Sequence, residues 1–253
     1  MARIIAVCNQ KGGVGKTTTS INLGAYLAAQ GKYVLLVDLD SQANATVGLG
    51  VNMDTEHPNI YHAIVNDQNP LTFLKRTSIF GFDILPASQS LAGATVELVT
   101  MEERESRLKK VLNNIRTNYD YILVDCPPSL GLLTINGLVA SEKVLIPVQC
   151  EYFALEGLGQ LLKTIELVHS GLNPDLQVLG VLLTMYDKRN QLARQVLNEV
   201  TKNFPGRVFE AVIPRTVSLA EAPSFGKTIL QFDPDSSAAK AYRQLAQEII
   251  RLG

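Results

Sequence analysis

Apolar residues in this chain fall into short unbroken runs that alternate with longer stretches of helical period. Runs of strand length occupy residues 3–8, 33–38, 83–85, 121–125, 143–148, 178–184 and 208–213. Val34-Leu35-Leu36-Val37 and Ile122-Leu123-Val124 contain no polar member, the pattern of strands covered on both faces. Helical patterns fill residues 16–30, 90–99, 104–118, 132–140, 155–169, 191–203 and 236–252. This alternation predicts an α/β fold, a mainly parallel twisted sheet with right-handed crossovers and helices on both faces. No Pro/Gly/Ser linker, low-complexity block or internal repeat divides the chain, so residues 1–253 are expected to form one domain. Residues 48–85 have Asn, Asp and Pro scattered through them and read as an insertion or lobe outside the sheet.

Composition narrows the class. Hydrophobic residues make up 46% and charged residues 19%, which suits a compact core rather than a disordered chain. Cys8, Cys126 and Cys150 form no CxxC pair, so they are expected to be buried thiols in a reducing compartment rather than a disulfide or metal framework. The N-terminus shows no charged stretch followed by a long apolar run, and no apolar stretch is long enough for a bilayer; a cytoplasmic location is the expectation. The formal net charge of −1 gives no overall pull toward nucleic acid. Any such binding would have to use a local basic patch; residues 188–253 carry ten Lys and Arg against six Asp and Glu, a modest asymmetry. His57, His62 and His169 show no metal or catalytic spacing.

The strongest chemical signal follows the first strand, in Cys8-Asn9-Gln10-Lys11-Gly12-Gly13-Val14-Gly15-Lys16-Thr17-Thr18. A turn that wraps a phosphate chain with backbone N–H groups needs positions without Cβ that can take φ > 0, and Gly12, Gly13 and Gly15 are read as supplying them. The helix starting near Lys16 aims its positive end at the same anion. Lys16 would reach the β- and γ-phosphates of a nucleotide, and the Thr17 hydroxyl would ligate Mg²⁺. The second strand ends in Asp38-Leu39-Asp40, and alternation along an extended stretch would put both carboxylates on one side. A further apolar strand leads into Asp125 and then Cys126-Pro127-Pro128, which suits a carboxylate holding Mg²⁺ through water.

The run Lys-Gly-Gly-Val-Gly-Lys-Thr-Thr resembles the deviant Walker A motif of the ParA/MinD ATPase superfamily, with Gln10 standing where the usual P-loop has Gly. Residues 125–131, 147–151, 182–185 and 213–215 look like those of chromosomal, Soj-like ParA partition proteins, and the likeness covers essentially the whole chain. The resemblance implies a slow ATPase in which Lys11 crosses a homodimer interface to the partner's nucleotide. It also implies that Asp38 lies near the Mg²⁺ water shell, that Asp40 orients the attacking water, and that Pro214 and Arg215 lie against adenine. Ser41 stands where many relatives have Pro. It further implies that the ATP-bound dimer grips double-stranded DNA without reading sequence, through Arg189 and Lys188, and that a ParB-like partner stimulates hydrolysis. The protein would then be nucleoid-associated. Relatives often have arginine where this chain has Ser218, which would shift contacts toward Lys188, Arg194, Lys202 or Lys227. The alternative is a MinD-like membrane-associated division-site ATPase. Against it, Ala239, Tyr242, Leu245, Ala246 and Ile249 form one apolar stripe suited to packing on the sheet, so no membrane partner is expected.

Overall fold

The apolar runs become the strands of one eight-stranded sheet. A computed structural model describes residues 1–52, 57–151 and 154–252. The strands are β1 (Arg3–Val7), β2 (Val34–Asp38), β3 (Lys75–Arg76), β4 (Phe82–Leu85), β5 (Tyr121–Asp125), β6 (Lys143–Gln149), β7 (Gln177–Tyr186) and β8 (Val208–Pro214). Their order across the sheet is β3-β4-β2-β5-β1-β6-β7-β8. Every pairing is parallel except that of β3 with β4. The helices are α1 (Lys16–Ala29), α2 (Asn44–Gly48), α3 (Ile60–Asn66), α4 (Leu91–Glu97), α5 (Arg107–Asn113), α6 (Leu132–Ala140), α7 (Ala154–Gly171), α8 (Gln191–Asn203), α9 (Val217–Glu221), α10 (Ile229–Phe232) and α11 (Ser237–Arg251).

Strand alternation splits the core into two layers. Ile5, Val7, Leu36 and Leu123 face α1 and α11, while Ile4, Ala6, Leu35 and Val124 face the layer to which α3 to α8 contribute. Ser236 caps α11 by accepting from the Ala239 amide at 3.2 Å. The expected stripe of that helix is sealed against the sheet, with Tyr242, Leu245 and Ile249 at most 1% exposed. Burying each such side chain contributes about 1.5–3 kcal/mol.

Two expectations need correction. Residues 48–85 do not lie outside the sheet: β4 sits within it between β3 and β2, and Ile60, Ala63 and Ile64 of α3 are in the core. The segment reads as irregular because α3 is only two turns long and is started by Asn59, whose side chain accepts from Tyr61 N. The two-residue strand β3 is too short to show a period, and its Lys75 and Arg76 guard an open edge. The helix expected over 104–118 is interrupted, with α5 followed by a separate tight turn at Arg116–Asn118.

The topology fixes where chemistry can occur. β1 leads through α1 to β2, beyond β5, and the chain later returns to place β6 on the other flank of β1. Such a reversal opens a crevice at the carboxyl ends of the strands. In register, Val7 pairs with Asp125 and Asp125 with Asp38, so the loop after β1 and both carboxylates share that edge.

Close packing of α1 on β4 generates a test. A Cβ at Gly24 would lie 2.4 Å from Cζ of Phe82, whose ring is fully buried. Gly24→Ala is expected to lower stability by about 1–3 kcal/mol despite alanine's better helix propensity, read as a reduced urea midpoint. An unchanged or raised midpoint would show that the ring can move aside.

Candidate active site

The loop between β1 and α1 is pinned at both ends. Asn9 donates from Nδ2 to the Pro147 carbonyl at 2.7 Å, and its Oδ1 accepts from the Lys11 amide at 3.0 Å. Thr184, at the end of β7, donates its hydroxyl to the Val14 carbonyl at 2.8 Å. Gly13 and Gly15 take φ of 73° and 87°, a region that costs any side-chain-bearing residue. Gly12 is different: its φ is not positive, and a Cβ there would make only an ordinary 3.9 Å contact with Pro128. The expectation that all three glycines serve positive φ therefore holds for two.

Gly15 precedes α1 without a side-chain cap, and the first turn of the helix has no acidic residue. The leading amides of α1 thus face the loop without a capping carboxylate, as an anion site requires. Lys16 folds back over the loop and donates from Nζ to the Lys11 carbonyl at 3.1 Å. Burial holds its ammonium below the usual lysine range, while nearby Asp125 works in the opposite direction.

Beneath this loop sits Asp125, fully buried. The Ser20 hydroxyl donates to its Oδ1 at 2.8 Å, whereas Oδ2 is buried without a hydrogen-bond partner. Desolvation, followed by the charge of Asp38, pushes this carboxyl up to about 7; the neighbouring Thr17 and Ser20 hydroxyls act the other way. An orphaned carboxylate oxygen beside a hydroxyl supplies the oxygen donors expected around hydrated Mg²⁺, so these residues fit the ion. No group of three or more His, Cys, Asp or Glu side chains among the described residues forms a separate metal site.

Asp38 and Asp40 diverge instead of sharing a side. Asp38 is fully buried, its Oδ1 accepting from the Asp40 amide at 3.1 Å and its Oδ2 from the Thr46 amide and hydroxyl at 2.9 and 2.8 Å. Burial pushes its carboxyl up to about 6 against the pull of these bonds. Asp40 lies beyond the strand end, accepts from the Gln42 amide at 3.0 Å and lines the cleft. Alternation fails here because β2 stops at Asp38.

Two cavities straddle the first turn of α1. One, of about 570 Å³, is bordered by Gly12, Gly13, Lys16, Thr17 and Asp40, with Lys227 opposite. The other, of about 690 Å³, runs past Pro214, Arg215 and Tyr242. Gly15, Thr18 and Met185 line both, so they form one bipartite groove. Val14 is buried behind the loop. Met185 takes φ of 52°, unusual for a residue without glycine's freedom.

The remaining expected site residues stand apart from the phosphate-side cavity. Lys11 pairs with Glu151 of its own chain at 3.1 Å, the side chains 40% and 51% exposed, and does not line either cavity. Arg189 lies at the rim of the larger cavity, 85% exposed, and is held by Asp187 through Nε at 3.0 Å and Nη2 at 2.8 Å. That guanidinium holds the Asp187 carboxyl down at about 2. Lys188 is exposed beside it. The three cysteines are free and buried, and the Cys8 thiol together with burial raises Cys126 well above the usual thiol range. Sequence reasoning missed Asn9, Ser20, Thr46, Met185 and Thr184 as parts of the site. Ser20, one helical turn beyond Lys16, had a readable signal; Thr46 had none.

The buried carboxylates predict an inverted pH response in the protein free of nucleotide and metal. Folded Asp38 and Asp125 keep protons to about pH 6 and 7, whereas unfolded aspartate loses them near 4. Between those values the folded state binds more protons, so their contribution to stability falls as pH rises from about 4 to about 7, then levels off. Urea titrations from pH 5 to 8 should show Asp125→Asn with a shallower decline than the wild type. Equal slopes for the two proteins would remove Asp125 from this account.

Comparisons with known proteins agree with this geometry. Residues 2–178 match a protein family described as an AAA domain. The chain is 55% identical to the sporulation initiation inhibitor protein Soj of Bacillus subtilis, covering 100% of both chains. It is 51% identical to the chromosome partitioning protein ParA of Myxococcus xanthus, over 99% of this chain and 89% of that one. Among solved structures, cobyrinic acid a,c-diamide synthase from Mycobacterium smegmatis with bound ADP and magnesium superposes with a TM-score of 0.88 at 41% identity, covering 99% of this chain and 95% of the other. With 55% and 51% identity to Soj and ParA over essentially its whole length, the chain belongs to the Soj/ParA family of chromosome-partitioning ATPases.

Proposed function

We propose that residues 1–253 act as one ATP-driven DNA-partition switch, with ATP in the bipartite groove and Mg²⁺ beside Thr17 and Asp125. The observation that carries this reading is the juxtaposition of Lys16, folded over the glycine loop, with the unpartnered Oδ2 of Asp125. In this reading the loop amides and Lys16 hold the β- and γ-phosphates, and the cavity by Pro214 and Arg215 takes the adenosine end. Thr17 and Asp125 would hold the ion, with Asp38 behind them adding negative charge. Bound Mg²⁺ would neutralise phosphate oxygens in the transition state.

Asp40 faces the phosphate-side cavity and orients the attacking water. Lys11 exchanges Glu151 for the phosphates of a second copy, so ATP favours the dimer because the dimer alone supplies that contact. The dimer binds double-stranded DNA nonspecifically through Arg189, Lys188 and neighbouring cations, a ParB-like protein accelerates hydrolysis, and the dimer then dissolves. Nucleoid association follows from that DNA binding. The membrane-bound alternative is less well supported, because α11 buries its apolar stripe on β8 and α1. Among the described residues no helix is long and apolar enough to cross a membrane.

Sizing the protein with ADP and with ATP, in the presence and absence of duplex DNA, tests the cycle. Lys16→Ala is expected to stay monomeric with either nucleotide. Asp40→Ala should bind ATP, lose at least tenfold in turnover and accumulate as a DNA-bound dimer. Normal hydrolysis by Asp40→Ala would reassign the water-orienting role. DNA affinity measured against salt gives a further check. With about three phosphate contacts per subunit, a dimer has a log–log slope near −5, and Arg189→Ala should reduce its magnitude by about two. An unchanged slope with dimerisation intact would exclude Arg189 from the DNA surface.

A further inference from the structure

The loop that carries Asp40 is held closed by one buried carboxylate. Asp38 accepts from the Asp40 amide where the loop begins and from the Thr46 amide and hydroxyl where it ends. Thr46 is fully buried, and its hydroxyl is saturated: it donates to Asp38 and accepts from the Ala87 amide at 3.0 Å. Ala87 follows β4, so the threonine ties the loop to the strand beside β2. Between the two anchor points the chain bends tightly, with Ala43 at φ 51° and its amide donating to the Asp40 carbonyl at 2.9 Å. A non-glycine residue in the left-handed region persists only where its surroundings impose it. The Asp38–Thr46 clip brackets this turn on both sides. Thr46 lines neither cavity, so it acts on a ligand only through what it holds.

We propose that Thr46 is a positioning residue for ATP hydrolysis, its hydroxyl fixing Asp38 and thereby the loop that aims Asp40 into the cleft. This inference rests on the assignment of Asp40 as the water-orienting group. Thr46 itself touches none of Gly13, Gly15 and Lys16, which hold the phosphates in that reading, and leaves the Asp38 carboxyl in place, so loss of its hydroxyl is expected to fall on turnover more than on binding. Displacements of about 1 Å in a reacting geometry cost on the order of 100-fold in rate.

The test measures steady-state ATP hydrolysis and nucleotide affinity for Thr46→Val and Thr46→Ser. Thr46→Val keeps the shape and removes the hydroxyl. It is expected to lower kcat by about 10- to 100-fold with KM and ADP affinity within about threefold of wild type. Thr46→Ser restores the hydroxyl and should retain more than about half of the wild-type kcat. A purely structural role would not give that split with rescue. Hydrogen exchange should show faster opening in residues 38–46 of Thr46→Val and wild-type protection elsewhere. If Thr46→Val does not fold, Thr46→Ala, which leaves room for relaxation, must show the same loss of kcat. In an Asp40→Ala background, Thr46→Val should add no further loss, because the group it positions is gone. Wild-type kcat in a folded Thr46→Val or Thr46→Ala, or full additivity with Asp40→Ala, overturns the inference. Normal hydrolysis by Asp40→Ala alone would instead refute the assignment on which it rests.

Discussion

Two carboxylates buried side by side set the terms for this molecule. Parallel register places Asp38 directly across from Asp125, and neither reaches water. Adjacent strands lie about 4.8 Å apart, so backbone pairing forbids the carboxylates from separating. Their mutual repulsion is met by fixed donors around Asp38 and by Ser20, Thr17 and Lys16 around Asp125. The compensation is unequal. Asp38 has both oxygens occupied, whereas Asp125 keeps one without a partner. The first geometry suits holding a backbone in place and the second suits receiving a cation.

From that edge the rest of the architecture follows. The glycine loop sits over Asp125 because β1 is its neighbour in the sheet, and α1 follows with its uncapped end against the loop. Tyr242 of α11 lines the larger cavity while its hydroxyl lies 3.4 Å from that of Thr19, so α11 is part of the bipartite groove's wall. The apolar stripe of α11 is thus committed to the core on one side and to the groove on the other.

Much of this was readable in the chain itself. Seven of the strands fall on apolar runs, most plainly β2 and β5, whose buried positions leave little place for a polar residue. The glycine loop is legible because the chemistry and the backbone conformation both demand particular residues at fixed spacing. What stays hidden depends on contacts between distant positions. Nothing around Thr46 indicates that it meets Asp38 and Ala87, and nothing around Lys11 reveals Glu151, 140 residues away. The different fates of Asp38 and Asp40 turn on where β2 ends, and element boundaries are the least certain part of any reading from pattern. Residues 48–85 were misread because α3 and β3 are shorter than the periods that reveal such elements.

The pairing of Lys11 with Glu151 has a kinetic side. Both groups are about half open to solvent, and an ion pair of that kind is worth about 0–1 kcal/mol. The ammonium is therefore parked rather than locked. It surrenders almost nothing on departure. Whichever anion next comes within its reach competes against a weak incumbent, so undocking this arm presents no appreciable barrier.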